Sequence, residues 1–196
     1  MDAGERLFAV HAMDVVTIDH IVDAADVAKG SFYNHFADKT ELVQVIITQV
    51  QSECEDQIAH ANQGVTDAAE RIVRAFCIMI RYAQTHPERL QALLSLSERG
   101  TIKNTPLNTG VARDIERGLE TKRFGGITIE AGIIIVIGIV RLAVGHMIAQ
   151  PSDGSVSDLA VMIGAAELRA LGCPDPDSAV LAHAAAHDIL TLGTKI

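Results

Sequence analysis

Residues 17–42 read TIDHIVDAADVAKGSFYNHFADKTEL, and their pattern is that of two short helices, a tight turn between them and a newly capped third helix. Thr17 is a helix-capping residue type. Ile18, Ile21, Val22 and Ala25 then fall at i, i+3, i+4 and i+7 and form one apolar stripe, while Asp19, His20 and Asp23 face water. The pattern breaks at Ala25-Asp26-Val27. The next segment, Lys29 to Phe36, carries Lys29, Gly30, Ser31, Tyr33, Asn34 and His35 around an apolar pair, Phe32 and Phe36, at i and i+4. Asp38 with Glu41 three residues on is a capping-box variant and opens another helix at Lys39. An apolar helix, a short turn and a helix that buries two phenylalanines while exposing polar side chains have the organisation of a helix-turn-helix.

At these residues the chain resembles a known family. VAKGSFYNHFADKTEL, residues 27–42, is similar to the signature of TetR-type transcriptional regulators, and LFAVHAMDVVT before it resembles the end of that family's first helix. Asp26 stands in the turn where the family usually has glycine, and aspartate tolerates a left-handed backbone better than most residues. The close match covers roughly the first 45 residues; beyond them only an all-helical plan is shared. The resemblance implies an all-α protein: a three-helix DNA-binding domain at residues 1–45, then a larger helical ligand-binding and dimerisation domain at residues 46–196.

The resemblance also assigns roles. It puts Lys29, Tyr33, His35 and Lys39 on DNA phosphates and Ser31 and Asn34 nearest base edges, with Thr17 as a further phosphate contact through its hydroxyl or backbone N–H. The implied partners are a near-palindromic duplex operator, a second copy of the chain and a small, largely apolar effector held in the helical body. Candidate effector contacts are Phe76, Met79, Ile80, Tyr82, His86, Leu94, Phe124 and Met147, with Arg81 or His146 as further polar handles. Apolar residues at helical spacing are also what a plain core needs. The implied activity is repression relieved by the effector, transmitted through the fourth helix.

Charge sharpens the expectation. The chain of 196 residues carries a net charge of −9, which disfavours indiscriminate binding to phosphates. From Met1 to Leu42 the positives are Arg6, Lys29 and Lys39, against Asp2, Glu5, Asp14, Asp19, Asp23, Asp26, Asp38 and Glu41, a balance of −5. Such a module holds DNA with few cations, through neutral donors and backbone N–H groups, or it is a helical small-molecule or protein-binding module that has lost DNA.

The rest of the chain reads as helices. Asp2 and Glu5 have capping-box spacing ahead of a first helix, Ala3 to His11, that turns Leu7 and Phe8 inward. A fourth helix runs from Lys39 to about His60. After a polar break, Asp67 to Thr85 presents Ile72, Val73, Phe76, Cys77, Ile80 and Ala83 inward, with Arg71, Arg74, Arg81 and Gln84 facing elsewhere. Pro87 opens the next helix, Glu98 to Pro106 is a loop, and Leu107 to Lys122 is helical with Val111, Ile115 and Leu119 on its buried stripe.

Ile127 to Gln150 is the most apolar segment. A membrane span needs about 20 apolar residues without charge, yet Glu130 and Arg141 leave only ten between them. The segment is therefore expected to be a helix that is hydrophobic all round and buried, and no membrane partner is expected. Pro151 to Gly154 is a turn, Ser157 caps a helix from Asp158 to Leu171, and a last helix starts at Asp175-Pro176 and runs to about Leu192. By resemblance, Ile127 to Gln150 and Asp158 to Leu171 form the dimer.

Other chemistries find little support. Cys54, Cys77 and Cys173 are isolated and odd in number, and Met1 to Glu5 lacks the features of a signal peptide, so a reducing cytoplasm is expected, with no disulfide framework, zinc cage or cofactor. His183 and His187 at i and i+4, near Asp188, have a metal-binding spacing but no third ligand in sight. No nucleophile elbow, glycine-rich phosphate loop or pair of buried-face carboxylates points to an enzyme.

Overall fold

The computed structural model describes residues 1–97, 106–150 and 156–193. Among these the secondary structure is helical, in chain order α1 (Asp2–Val10), α2 (Ile18–Ala25), α3 (Lys29–Tyr33), α4 (Lys39–Ala61), α5 (Ala68–Thr85), α6 (Pro87–Leu96), α7 (Pro106–Glu120), α8 (Ile129–Ala149), α9 (Val156–Ala170) and α10 (Asp177–Ala186), closing in a π-helical turn, His187–Thr191. The expected loop at 98–106 and turn at 151–154 lie outside the described residues but for Pro106, which opens α7. The chain divides into two compact units: Met1–Glu53 with His86–Thr101, and Cys54–Thr85 with Ile102–Ile196. The first unit therefore holds the expected module of residues 1–45 together with the start of α4 and all of α6.

In the first unit, α1 packs on α2 and α6. Phe8 is fully buried, and α1 comes so close to α4 that a Cβ at Gly4 would stand 3.2 Å from Ile46. The expected Asp2–Glu5 capping box does not form: Asp2 is already helical, and no side chain caps α1. Glu5 is instead buried, with its carboxylate 3.1 Å from Arg89 of α6, which also forks onto Glu53 of α4 at 2.5 and 3.1 Å. A carboxylate in this position gains more from a guanidinium than from an exposed backbone N–H.

The second unit is built around α5, which packs against α7, α8, α9 and α10. The expected inward residues of α5 are buried, and so are Ile78, Met79 and Tyr82, leaving α5 covered almost all round. Its two arginines of the first turns act as ties. Arg71 donates to Asp114 of α7 at 2.6 Å; Arg74 donates to the Ala61 carbonyl at the end of α4 at 2.8 and 3.1 Å and to Asp188 in the π-helical turn at 2.7 Å. Arg123 similarly joins Asp67, ahead of α5, to Asp177 at the start of α10.

α8 departs from expectation. It is a helix, capped by Thr128, but it is not buried all round: Gly132, Val136, Ala143 and Val144 form its buried stripe, while Ile134 is 54% and Leu142 76% exposed. A single chain covers only the side of α8 that meets α5, α7 and α9. By length and composition alone, α8 is the one helix among the described residues apolar enough to cross a membrane. Ser157 also differs from its expected place, since α9 already begins at Val156 and Ser157 lies inside it.

Candidate nucleic-acid interface

The helix-turn-helix is assembled from the local chemistry of residues 17–36. Thr17 caps α2 reciprocally: its side-chain oxygen accepts from the His20 N–H at 3.2 Å, while its own backbone N–H donates to His20 Nδ1 at 3.3 Å. Histidine here does what glutamate or glutamine does in the usual capping box. The Thr17 backbone N–H is thus engaged within the protein, leaving the hydroxyl proton as the donor it can offer outward. α2 ends at Asp26, whose φ of 53° and ψ of 48° are left-handed, the conformation that glycine usually supplies. The Val27 N–H then reaches back to the Val22 carbonyl at 3.0 Å and turns the chain into α3.

α3 is regular only over Lys29–Tyr33, shorter than the expected Lys29 to Phe36, although the His35 and Phe36 N–H groups still donate to the Phe32 carbonyl at 3.0 Å. Phe32 anchors it. Its ring is buried, with the Phe36 ring 5.4 Å away in a tilted contact and the Tyr33 ring 5.5 Å away edge-on. With that side inward, Lys29, Gly30, Ser31, Tyr33, Asn34 and His35 are all exposed, and a Cβ at Gly30 would meet nothing within 4 Å. The α3 surface is therefore polar and open.

Its charges are tied up internally. Lys29 Nζ lies 2.6 Å from the Asp19 carboxylate of α2, a hydrogen bond that raises the lysine pKa against the opposing effect of desolvation. Lys39 is half-buried and donates to the Met13 and Val16 carbonyls, each at 2.7 Å, fastening the α1–α2 loop to the start of α4. It has a third N–H to offer. At the same end of α4, the Glu41 N–H donates to Asp38 at 2.9 Å and the Glu41 carboxylate accepts from the Ala37 N–H at 2.6 Å, so the return bond of the cap lands one residue earlier than in a capping box.

The candidate effector residues divide between the units. Phe76, Met79, Ile80 and Tyr82 are buried on α5, Phe124 is buried after α7, and Met147 is half-buried on α8, all in the second unit. His86, exposed, and Leu94, half-buried, belong to the first unit. Arg81 is half-buried, and His146 is exposed. His183 and His187 are exposed and Asp188 is held by Arg74; among the described residues no group of three metal-ligating side chains forms.

One buried group has no counterpart in the sequence reading. Glu167, in the GAAELRA run of α9, is fully buried, and neither carboxylate oxygen has a hydrogen-bond partner. Burial pushes its pKa well above the ordinary carboxylate value. It also contributes, after burial itself, to lifting the Cys77 thiol on α5 to about 12. A charged residue type in an alanine-rich helix was the only sequence signal.

Residues 1–46 match the family model described as bacterial regulatory proteins, tetR family. Among curated proteins, the chain is 24% identical over 127 residues to an uncharacterised HTH-type transcriptional regulator, YhgD, of Bacillus subtilis, covering 65% of this chain and 66% of that protein. It is 28% identical over 108 residues to a probable acrEF/envCD operon repressor of Escherichia coli, covering 55% of this chain and 49% of that one. The match thus spans about half to two thirds of these relatives' length. The fold is that of RolR crystallised with resorcinol, at a TM-score of 0.62 and 20% identity over 92% of this chain and 89% of that one.

Proposed function

We propose that the chain, whose residues 1–46 match the tetR family of bacterial regulatory proteins, is a ligand-responsive repressor of that type that binds a near-palindromic operator as a homodimer in the cytoplasm. The observation that carries this is the polar face of α3: Ser31, Tyr33, Asn34 and His35 stand exposed on a segment anchored from behind by buried Phe32 and aimed by the left-handed turn at Asp26. In this reading Ser31 and Asn34 meet base edges, and Thr17, Lys29, Tyr33, His35 and Lys39 meet phosphates. A second copy places its own α3 one DNA turn away, about 34–36 Å.

The exposed apolar side chains Ile134 and Leu142 of α8 and Met162 of α9 support a dimer face on those helices. The effector is a small, largely apolar molecule held in the second unit; the resorcinol complex of RolR, a protein of the same fold, supports a small aromatic ligand. Binding there favours one position of α4 over another and lowers operator affinity by the difference in ligand affinity between the two states.

The test is selection of random duplex DNA by the purified chain at low salt, with the recovered sequences read for two-fold symmetry. A recovered palindrome supports the regulator. No enrichment by a folded dimer, with or without added ligand, overturns DNA recognition by this chain.

A further inference from the structure

We infer that Glu167 is the anchor of a ligand site inside the second unit, one that takes an apolar molecule carrying a basic amine. This deepens the ligand-responsive reading above and rests on it.

The first support is the state of the group. Glu167 is completely buried, and both its oxygens are without a partner; buried carboxyl groups in native cores are nearly always hydrogen-bonded or paired, and an orphan marks a place where something else completes the bonding. The second is where it stands. One turn earlier on α9, Gly164 brings the helix so close to α5 that a Cβ there would lie 2.8 Å from Val73 and 3.7 Å from Ala182 of α10. Glu167 follows on that same side of α9, near enough to Cys77 of α5 to act on its thiol.

The third is the missing counter-charge. Burial is the sole cause of the Glu167 shift, so no cation of the described residues compensates it. Of the cations on α5, Arg71 is committed to Asp114 of α7 and Arg74 to Asp188 of the π-helical turn and the Ala61 carbonyl; Cys77 keeps its proton, and His183 of α10, His187 of the turn and His146 of α8 are exposed. The site holds half of an ion pair.

An amine supplies the other half without bringing net charge into the core. The carboxyl O–H gives its proton to the nitrogen lone pair, leaving a carboxylate hydrogen-bonded to an ammonium, a stronger pairing than a neutral donor makes. Starting from the ammonium that prevails in neutral solution, the same complex forms with release of the carboxyl proton to water. An alcohol can exchange only neutral hydrogen bonds with the carboxyl, without the charge that strengthens the amine pairing.

The probes are n-octylamine and n-octanol, which share an alkyl chain and differ in the head group, titrated calorimetrically into the full chain at pH 7 in two buffers of different ionisation enthalpy. Octylamine is expected to bind about tenfold tighter than octanol and to release one proton for each molecule bound. Glu167→Gln, checked for fold by circular dichroism, should bind the two alike and release none. Equal binding of octylamine by Glu167→Gln, or a wild-type chain with no preference for the amine, overturns the site. The DNA selection is independent: a palindrome recovered by a chain that ignores octylamine removes this site and leaves the regulator standing, and amine binding through Glu167 without DNA enrichment does the reverse.

Discussion

Lys29 and Asp19 hold each other across the helix-turn-helix, ammonium to carboxylate at 2.6 Å, so a cation assigned to DNA phosphate is neutralised by a residue of the preceding helix. Both side chains are more than half exposed, so the pair is labile and contributes little to the fold. Asp19→Asn removes an acid from a module with a charge balance of −5 and frees Lys29. Operator affinity should rise, and the slope of log affinity against log salt should steepen by roughly one. Fluorescence anisotropy across a potassium chloride series reads both. An unchanged slope would mean that Lys29 makes no phosphate contact.

Two neighbours on α3 should separate fold from recognition. Phe32→Ala empties a buried ring site and should cost about 3–5 kcal/mol, enough to unfold the first unit's N-terminal helices at ordinary temperature. Tyr33→Ala, on an exposed ring, should leave the denaturation midpoint nearly unchanged and abolish operator binding. Paired urea melts and binding assays decide it; a Tyr33→Ala chain that binds as wild type removes that residue from the interface.

How much of this was legible in the sequence depended on whether the signal was local. Thr17, Asp26, Asp38 and the Phe32–Phe36 pair act within four residues of themselves, and α2, the turn and α4 stand where those residues place them. What failed was non-local. Glu5 has the spacing of a cap, yet a guanidinium far along the chain, Arg89, takes it. α8 is more apolar than α5, yet α5 is the enclosed helix, because burial follows position among neighbours and not composition. Glu167 was missed for the same reason: it is buried because α9 packs against α5, α8 and α10, which its own helix does not reveal.

Gly118 shows how tightly the second unit is closed. A Cβ at Gly118 of α7 would collide with the ring of Phe124, whose N–H donates to the Gly118 carbonyl at 2.9 Å. Phe124 is buried, so its ring cannot give way simply by swinging into solvent. Gly118→Ala should therefore destabilise by about 1–3 kcal/mol, against the helix-propensity gain that alanine normally brings. A thermal melt above that of wild type would show the ring free to move, as a ligand-gating residue must be.

The proposed dimer face can be broken by one charge. Leu142 is 76% exposed on α8, so glutamate there costs the isolated chain almost nothing, whereas a carboxylate enclosed between two copies loses its hydration. Leu142→Glu should give a folded monomer by light scattering and lose cooperative binding to the palindrome. A surviving dimer would move the interface to another surface, such as the exposed Val180 side of α10.

Glu167 also predicts how stability varies with pH. Its folded pKa is raised well above the ordinary 4.5 by burial, so between those two values the folded chain binds a proton that the unfolded chain has lost. Stability associated with this group is then complete below 4.5 and declines as pH rises through the folded pKa. Glutamine has no such proton. Glu167→Gln and wild type should therefore show the same difference in unfolding free energy at every pH below 4.5, and above it the variant should gain steadily on wild type until the folded pKa is passed. Urea denaturation of both chains from pH 4 to pH 8 measures the divergence, in which all other titrating groups cancel. Parallel curves throughout would mean that the carboxyl is solvated, and the site proposed for an amine would lose its foundation.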